Sequence, residues 1–390
     1  MKLKGKRIIY EALFLIVVKY KFNKRMTNLS DKRILFVVSQ LKVGGAAKMI
    51  KYVANLCTLH FKEVTMVTYY DDFTPDDLDD SVNRYNLDVS FGSGVPTWRI
   101  TALKRLRRII KNSGCDIVCS FLPDISAMSF LATRGIKTIV VSCERGDPFE
   151  FSRFWKTIMT WIYKKSDFCV FQLEKARDFF GQKIAKHSFV IPNPYVLAEN
   201  ATPFEGVRKK TIVSAGRFSL QKRFDILINA YAKVRDSHPE YKLVLYGEGD
   251  YLTEYGKLIK KLNLEGFVEL PGYVRNVASC IREDGIFVLS SDYEGIPNAL
   301  IEAMSVGLPC VATDCTPGGP AFLTNNGERG LLVPVHDVDA MAGAIISLIE
   351  DPCLAVSLAK KATDIVNLLD VNVINKMWID TFTNIINDGK

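Results

Sequence analysis

Residues 286–302 read IFVLSSDYEGIPNALIE and contain, in order, a strand, a polar turn and the start of a helix. The apolar run Ile286–Leu289 is typical of a buried strand. Pro297 fits the first position of a helix, because that position has no intrahelical use for a backbone N–H. Gly307 and Pro309 are typical of the residues that follow a helix. Repeats of this strand–turn–helix unit build parallel sheets with helices on both faces.

The same alternation extends in both directions from this segment. Apolar runs alternate with helical patterns, and the further predicted strands are residues 33–40, 64–69, 117–121, 138–143, 168–171, 211–215, 242–246, 267–270 and 309–312. The sequence IPNPY at 191–195 and the weakly periodic residues 198–210 interrupt the pattern near its middle. We therefore predict an α/β protein with two Rossmann-like, doubly wound domains that face a cleft.

Composition and charge exclude several classes of protein. The chain has 390 residues, of which 48% are hydrophobic and 24% charged, as in folded globular proteins. The net charge of +8 resides in residues 1–33, which hold ten bases and two acids, so the remainder is neutral and does not resemble a nucleic-acid-binding body. No apolar run reaches the roughly 20 residues that a spanning helix needs. The nine cysteines form no CxxC pair and the four histidines show no ligand spacing, so we expect no zinc site and reduced thiols in the cytoplasm.

Two basic segments raise the question of membrane binding. Residues 8–18 are apolar between basic flanks, which suits a helix on an anionic membrane surface; a segment that merely precedes the folded domain is an equal alternative. Residues 103–111 (LKRLRRIIK) place five bases around a helix. This stripe suits anionic headgroups or a lipid-linked pyrophosphate, and a solvated helix face is the alternative reading.

Two carboxylates flank the turn quoted above. Glu294 stands just before the helix start, where a carboxylate would repel phosphate, so we interpret it as an acceptor for sugar hydroxyls. Glu302 lies further along the same helix and suits a diol such as ribose. A capping acid and a solvated helix acid are the structural alternatives, and the intervening Gly-Ile-Pro-Asn favours the functional interpretation.

A second polar turn, SAGRFSLQKRFD at residues 214–225, follows the predicted strand 211–215. Arg217 offers a planar fork and Lys222 a point charge, a combination that neutralises a diphosphate from two sides. Three glycine turns leave two interpretations open, since each suits either a nucleotide-lining loop or a tight connection: Gly44-Gly45, Gly247-Glu-Gly249 and Pro271-Gly-Tyr273.

These residues resemble the retaining glycosyltransferases of family 4, which have the two-domain GT-B fold. The E-x7-E signature of that family is matched by Glu294 and Glu302, and its G-R-x4-K element by Gly216, Arg217 and Lys222. Residues 290–320 (SSDYEGIPNALIEAMSVGLPCVATDCTPGGP) are particularly similar to members that build bacterial capsule, O-antigen and exopolysaccharide, and the similarity covers about residues 33–370.

The resemblance implies a domain organisation and a role for each domain. Residues 1–32 would be a basic tail, 33–195 the acceptor domain, 196–372 the nucleotide-sugar domain and 373–390 a helix that returns to the first domain. Catalysis would rest on Arg217, Lys222 and Glu294. Substrate would be bound by Gly44, Gly45, Glu144, Arg145, Gly216, Gly247, Tyr273, Val274, Gly295, Ile296, Pro297, Asn298, Ala299 and Glu302.

The resemblance also implies the reaction and its partners. The donor would be a nucleotide sugar, expected to be UDP-linked, and the acceptor a polyprenyl-diphosphate-linked or other lipid-linked glycan at the inner face of the cell membrane, with no metal or cofactor. Many members carry a histidine after the strand matched by 117–121, whereas this chain reads CSFLPD at 119–124. Glu144 and Arg145, after the next predicted strand, are the alternative acceptor contacts. A sugar-nucleotide epimerase and an inactive membrane-surface scaffold are the rival readings.

Overall fold

The computed structural model of the chain describes residues 28–41, 45–70, 78–89, 97–195 and 202–388. The predicted membrane segment 8–18 and Gly44 lie outside these residues. The described residues form two parallel sheets covered by helices, and the predicted pair of doubly wound α/β domains is therefore confirmed.

The first sheet has seven parallel strands in the order β3-β2-β1-β4-β5-β6-β7. These strands are β1 Arg33–Val38, β2 Glu63–Thr68, β3 Asn83–Asn86, β4 Ile117–Phe121, β5 Ile139–Glu144, β6 Phe168–Phe171 and β7 Ser188–Val190. Its helices are α1 Gly45–Thr58, α2 Thr97–Ser113, α3 Pro123–Thr133, α4 Arg153–Lys165, α5 Glu174–Asp178 and α6 Gln182–Ala185, with 3-10 turns at Leu29–Asp31 and Pro148–Glu150.

The second sheet has six parallel strands in the order β10-β9-β8-β11-β12-β13. These strands are β8 Thr211–Ala215, β9 Lys242–Tyr246, β10 Val268–Gly272, β11 Ile286–Leu289, β12 Cys310–Thr313 and β13 Leu331–Val333. Its helices are α7 Phe224–Ser237, α8 Leu252–Lys261, α9 Val277–Ile281, α10 Asn298–Ser305, α11 Gly319–Thr324, α12 Val338–Glu350, α13 Pro352–Ala362 and α14 Ile365–Leu368, with a 3-10 turn at Leu220–Lys222.

The strand order of each sheet reverses once, between β1 and β4 in the first sheet and between β8 and β11 in the second. Helices on either side of such a reversal leave a crevice at the carboxyl ends of the two strands. In the second sheet, the turns after β8 and β11 are the two polar turns that the sequence singles out.

The last helix, α15 (Val371–Asp388), returns to the first sheet. Its buried side chains Ile374, Trp378 and Phe382 belong to the same apolar core as β1 and β4. The Trp378 ring stacks on Phe121 at 6.3 Å between centroids. A further core cluster runs from Phe171 in the first sheet to Leu300 on α10, so apolar packing is continuous between the two domains.

Among the described helices, none is by itself long and apolar enough to cross a bilayer. The helices Val338–Glu350 and Pro352–Leu368 meet the length and composition criteria only as a pair, which is bent by 101° at its break.

Candidate active site

The turns after β8 and β11 meet at one point. The two strands are parallel neighbours, so their carboxyl ends open at the same edge of the sheet. The Lys222 ammonium lies 2.5 Å from Glu294 Oε1, and the two side chains are only 16% and 10% exposed. Ser290 Oγ donates to the Lys222 carbonyl at 2.7 Å and fixes one turn against the other. The two motifs that stand 72 residues apart in the sequence therefore form one site.

The Glu294 carboxylate is held from several directions. Ser291 Oγ donates to the same Oε1 at 2.8 Å, and the Glu294 backbone N–H donates to the Thr316 carbonyl at 2.8 Å. A carboxylate with a cation and a hydroxyl donor on one oxygen is fixed in orientation, and its other oxygen remains available to accept a hydrogen bond.

Arg217 and Lys222 differ in their surroundings. Arg217 is exposed, and no hydrogen bond or ion pair connects it to the residues that the structure describes. Lys222 lies along the turn, where a Cβ on Gly216 would come within 3.0 Å of its Cε. A third cation, Arg223, pairs with Asp225 at 2.8 Å and with Asp292 at 3.3 Å, so it braces the site instead of offering a free charge.

Close backbone contacts position the segment after Glu294. A Cβ on Gly295 would lie 2.4 Å from Gln172 Oε1 of the first domain, and one on Gly319 would lie 1.5 Å from the Gly295 carbonyl oxygen. The buried Ile296 follows. Pro297 precedes α10 in an extended conformation (φ −74°, ψ 110°), so the helix begins at Asn298 and continues through Ala299, one residue later than the sequence predicts.

A cavity between the domains opens on Glu302. Its walls are residues of α1, the segment after β7, and α10: Lys48, Met49, Tyr52, Asn193, Pro194, Tyr195, Asn298, Ile301 and Glu302. Burial raises the pKa of Glu302, and the Lys48 ammonium across the cavity partly offsets this rise. Gly45 is the first residue of α1, the helix that supplies the opposite wall.

Asp147 connects the first domain to this site, and it is not among the site residues predicted from the sequence. Its Oδ2 accepts a 2.5 Å hydrogen bond from Thr316 Oγ1, and its Oδ1 accepts the Phe149 N–H at 2.8 Å. Thr316 is the residue whose carbonyl binds the Glu294 N–H. Burial raises the pKa of Asp147. The sequence signal, an Asp before Pro148, indicates only a turn cap.

Glu144 and Arg145 do not face the cleft as the sequence suggests; both are buried. The Glu144 oxygens accept hydrogen bonds from the Gly146 N–H at 2.8 Å and the Tyr163 hydroxyl at 2.7 Å, and burial raises the pKa of this carboxyl. Arg145 donates to the Ile191 carbonyl at 3.1 Å, and burial lowers its pKa. These contacts make the pair a support of the turn after β5, and their binding of acceptor stays a prediction.

The Arg145 guanidinium also lies over two aromatic rings, 5.3 Å from the Phe121 centroid and 5.2 Å from that of Trp378. This placement joins the turn after β5 to helix α15 by cation–π contacts.

The structure shows the surroundings of two of the three glycine turns. A Cβ on Gly247 (φ +140°) would lie 1.9 Å from the Gly216 carbonyl oxygen, so this glycine is required by backbone packing behind the Arg217 turn. Tyr273 is exposed and Val274 half-buried, immediately after β10. These two residues are accessible, and whether they contact a nucleotide stays a prediction.

Three comparisons with known proteins bear on the identity of this chain. Residues 200–365 match the family model described as glycosyl transferases group 1. The chain is 35% identical over 205 residues to an exopolysaccharide phosphotransferase of Streptomyces coelicolor, covering 52% of this chain and 21% of that protein. This chain thus spans about a fifth of the length of that relative.

A second relative matches over nearly its whole length. It is an N-acetylgalactosamine-N,N'-diacetylbacillosaminyl-diphospho-undecaprenol 4-alpha-N-acetylgalactosaminyltransferase of Campylobacter jejuni, 27% identical and covering 84% of this chain and 93% of that protein. Among solved structures, Anabaena HepE in complex with UDP aligns with a TM-score of 0.75 and 19% identity, over 90% of this chain and 100% of that one. At this identity the likeness concerns the fold, and the GT-B fold expected from the sequence is confirmed.

Proposed function

We propose that this chain, which has the GT-B fold and matches the group 1 glycosyltransferase model over residues 200–365, transfers a sugar from a UDP-sugar to a lipid-linked glycan in surface polysaccharide synthesis. The names of several relatives support the assignment, among them an amylovoran biosynthesis glycosyltransferase of Erwinia amylovora. The acceptor class is supported by the Campylobacter relative, whose named substrate is linked to undecaprenol through a diphosphate. The enzyme would work at the inner face of the cell membrane.

The contact between Lys222 and Glu294 carries this proposal. It brings a cation suited to a diphosphate and a carboxylate suited to sugar hydroxyls within 2.5 Å of each other, at the carboxyl ends of adjacent strands. A nucleotide sugar has these two groups side by side, joined by the bond that must break. We infer that Glu302, which lines the cavity between the domains, binds the ribose of the nucleotide.

The chemical step requires stabilisation of the leaving diphosphate. When the bond between the anomeric carbon and the phosphate oxygen breaks, negative charge develops on that oxygen and an oxocarbenium-like sugar forms. The exposed Arg217 and the nearby Lys222 supply fixed positive charge at that place, which needs no metal ion. Attack by the acceptor hydroxyl on the same face, with its proton passing to the leaving phosphate, gives retention.

Lys222→Ala tests the proposal. Removal of the ammonium leaves the developing charge uncompensated, so we expect kcat/KM for sugar transfer to fall by about 10²–10³-fold, or roughly 3–4 kcal/mol of transition-state stabilisation. Lys233→Ala is the matched control, because Lys233 also pairs with a carboxylate, that of Asp339, but at an exposed position on α7. Near-wild-type kinetics for Lys222→Ala would contradict the assignment.

A further inference from the structure

Helix α4 exposes large aromatic side chains in an unusual density. Phe154, Trp155 and Trp161 are 71%, 40% and 52% exposed. Phe154 and Trp161 are seven residues apart, and Ile158 lies between them on the same side of the helix. Only Met159, Ile162 and Tyr163 of this helix are buried, and every residue of its first turn is exposed. We call the exposed aromatic side chains of this helix, Phe154, Trp155 and Trp161, the α4 aromatic surface.

The neighbours of the α4 aromatic surface extend it along the molecule. The Trp161 ring contacts Phe130 edge-on at 5.4 Å, and the Arg134 guanidinium lies over the same Phe130 ring at 5.3 Å. Leu131, beside them at the end of α3, is exposed as well. Phe130 itself is buried, so the exposed apolar side chains here are those of α4 and Leu131, and such clusters are typical of binding surfaces.

The charged side chains along α4 itself are all basic. Residues 151–166 contain four bases and no Asp or Glu, and all four bases are exposed: Arg153, Lys156, Lys164 and Lys165. Exposed tryptophans with surrounding Lys and Arg are the composition of helices that lie in the interface of an anionic bilayer. Each base near such a surface adds electrostatic attraction to the anionic headgroups.

The position of the α4 aromatic surface relates it to the cleft. Ser152 caps the amino terminus of α4, and the preceding turn contains Asp147, which binds Thr316 across the cleft. A membrane in contact with the first turn of α4 would therefore lie close to Asp147, whose partner Thr316 binds the Glu294 backbone.

The basic stripe of α2 has a different environment. Arg105 donates to the backbone carbonyls of Leu87 and Asp88, and Arg107 donates to those of Ala132 and Arg134. Two of the five bases in residues 103–111 thus brace neighbouring loops, and Ile100 is the large exposed apolar residue of this helix. Because two bases of α2 bind backbone carbonyls and α4 exposes more large apolar side chains, we expect α4 rather than α2 to enter a bilayer.

We propose that the α4 aromatic surface is the membrane-docking face of the enzyme, that its occupant is an anionic phospholipid bilayer, and that it brings the cleft to a lipid-linked acceptor. This inference rests on the proposed function for its biological purpose. The docking itself is a separate physical property of residues 151–166.

Fluorescence quenching by brominated lipid tests the proposal, since the four tryptophans of the chain lie in different places. Full-length protein is mixed with vesicles of brominated phosphatidylglycerol and phosphatidylcholine. Trp155 and Trp161 lie on α4, Trp98 lies on α2 and Trp378 is buried. We expect quenching in wild type and in Trp98→Phe, and loss of most of it in the double variant Trp155→Phe/Trp161→Phe.

A second variant measures the contribution to binding. Phe154→Ser/Trp155→Ser should weaken partition onto anionic vesicles about tenfold or more, because the two rings no longer enter the interface. Val356→Ser, at an exposed apolar position on α13, is the matched control and should leave binding unchanged. Both variants change exposed residues, and unchanged circular dichroism would show that they remain folded.

Three results would overturn the proposal. They are quenching that disappears in Trp98→Phe and persists in the α4 variant, vesicle binding without any quenching, and no binding of wild-type protein to anionic vesicles. An absence of wild-type binding to anionic vesicles would indicate that the α4 aromatic surface binds a protein partner instead. Nucleoside diphosphate release, measured without vesicles on the same samples, distinguishes a failure of docking from a failure of the proposed enzymatic function.

Discussion

Glu144 is a buried carboxylate whose ionisation is coupled to folding. Burial raises its pKa above the ordinary value of 4.5. Below that value the carboxyl is protonated in both states, and its neutral form is compatible with the fold. As pH rises from 4.5 through the folded-state pKa, the unfolded chain loses the proton first, so the free energy of unfolding falls.

Glu144→Gln removes this titration. We expect the stability of wild type relative to the variant to decline as pH rises from 4.5, as measured by urea unfolding at a series of pH values. Glu265→Gln, at an exposed position, is the control and should follow wild type throughout. Parallel curves for wild type and Glu144→Gln would show that burial does not raise this pKa.

The residues of the site were predictable to different degrees. Lys222 and Glu294 were identifiable because both follow strands, and the carboxyl ends of adjacent parallel strands meet. Asp147 was not, because its contact with Thr316 spans 169 residues and depends on how the two domains pack. Glu144 was misplaced because position after a strand does not specify whether a side chain points into the cleft or beneath it.

Gly247 shows how one element constrains the next. A Cβ there would lie 1.9 Å from the Gly216 carbonyl oxygen, and the φ of +140° is unfavourable for any other residue. We expect Gly247→Ala to lower the free energy of unfolding by about 2–5 kcal/mol, through steric overlap and backbone strain together. Denaturant unfolding measures this change.

Gly256→Ala is the matched control on the neighbouring helix α8, where an added Cβ meets nothing within 4 Å. Alanine there should raise the free energy of unfolding by about 0.5–1 kcal/mol, since glycine is a poor helix former. Equal effects of the two substitutions would contradict the account of the Gly247 turn.

At the scale of elements, the central strands were predicted within one or two residues because they are continuous apolar runs. Three described strands were missed: β3 with sequence NRYN, and the three-residue strands β7 and β13. All lie at sheet edges, where one side lacks a partner strand and the apolar signal is short or alternating. Their existence depends on pairing, which a local pattern does not encode.

At the scale of the whole molecule, α15 links the end of the chain to the first domain. Trp378 is fully buried against Phe121 and Phe382, with ring centroids at 6.3 and 5.6 Å. We expect Trp378→Ala to reduce the free energy of unfolding by about 3–5 kcal/mol, because a large cavity opens in the first core. Chemical denaturation monitored by circular dichroism gives the value.

Val373→Ala provides the comparison, since this residue lies on the same helix but is 43% exposed. It should cost less than about 1 kcal/mol. A similarly small cost for Trp378→Ala would mean that α15 is not an integral part of the first domain.

The two-domain architecture was predictable from the alternation of strands and helices in the sequence. The continuous apolar packing between the two domains became visible only in the three-dimensional structure.

The central claim is that the Lys222–Glu294 site cleaves a nucleotide sugar. The most direct measurement is nucleoside diphosphate release from a panel of UDP-, GDP- and ADP-sugars, with EDTA and a polyprenyl-diphosphate-linked glycan present, for wild type and Glu294→Ala. We expect wild type to release UDP from a UDP-sugar and Glu294→Ala to lose this release. No release from any donor, or equal release by wild type and Glu294→Ala, would contradict it.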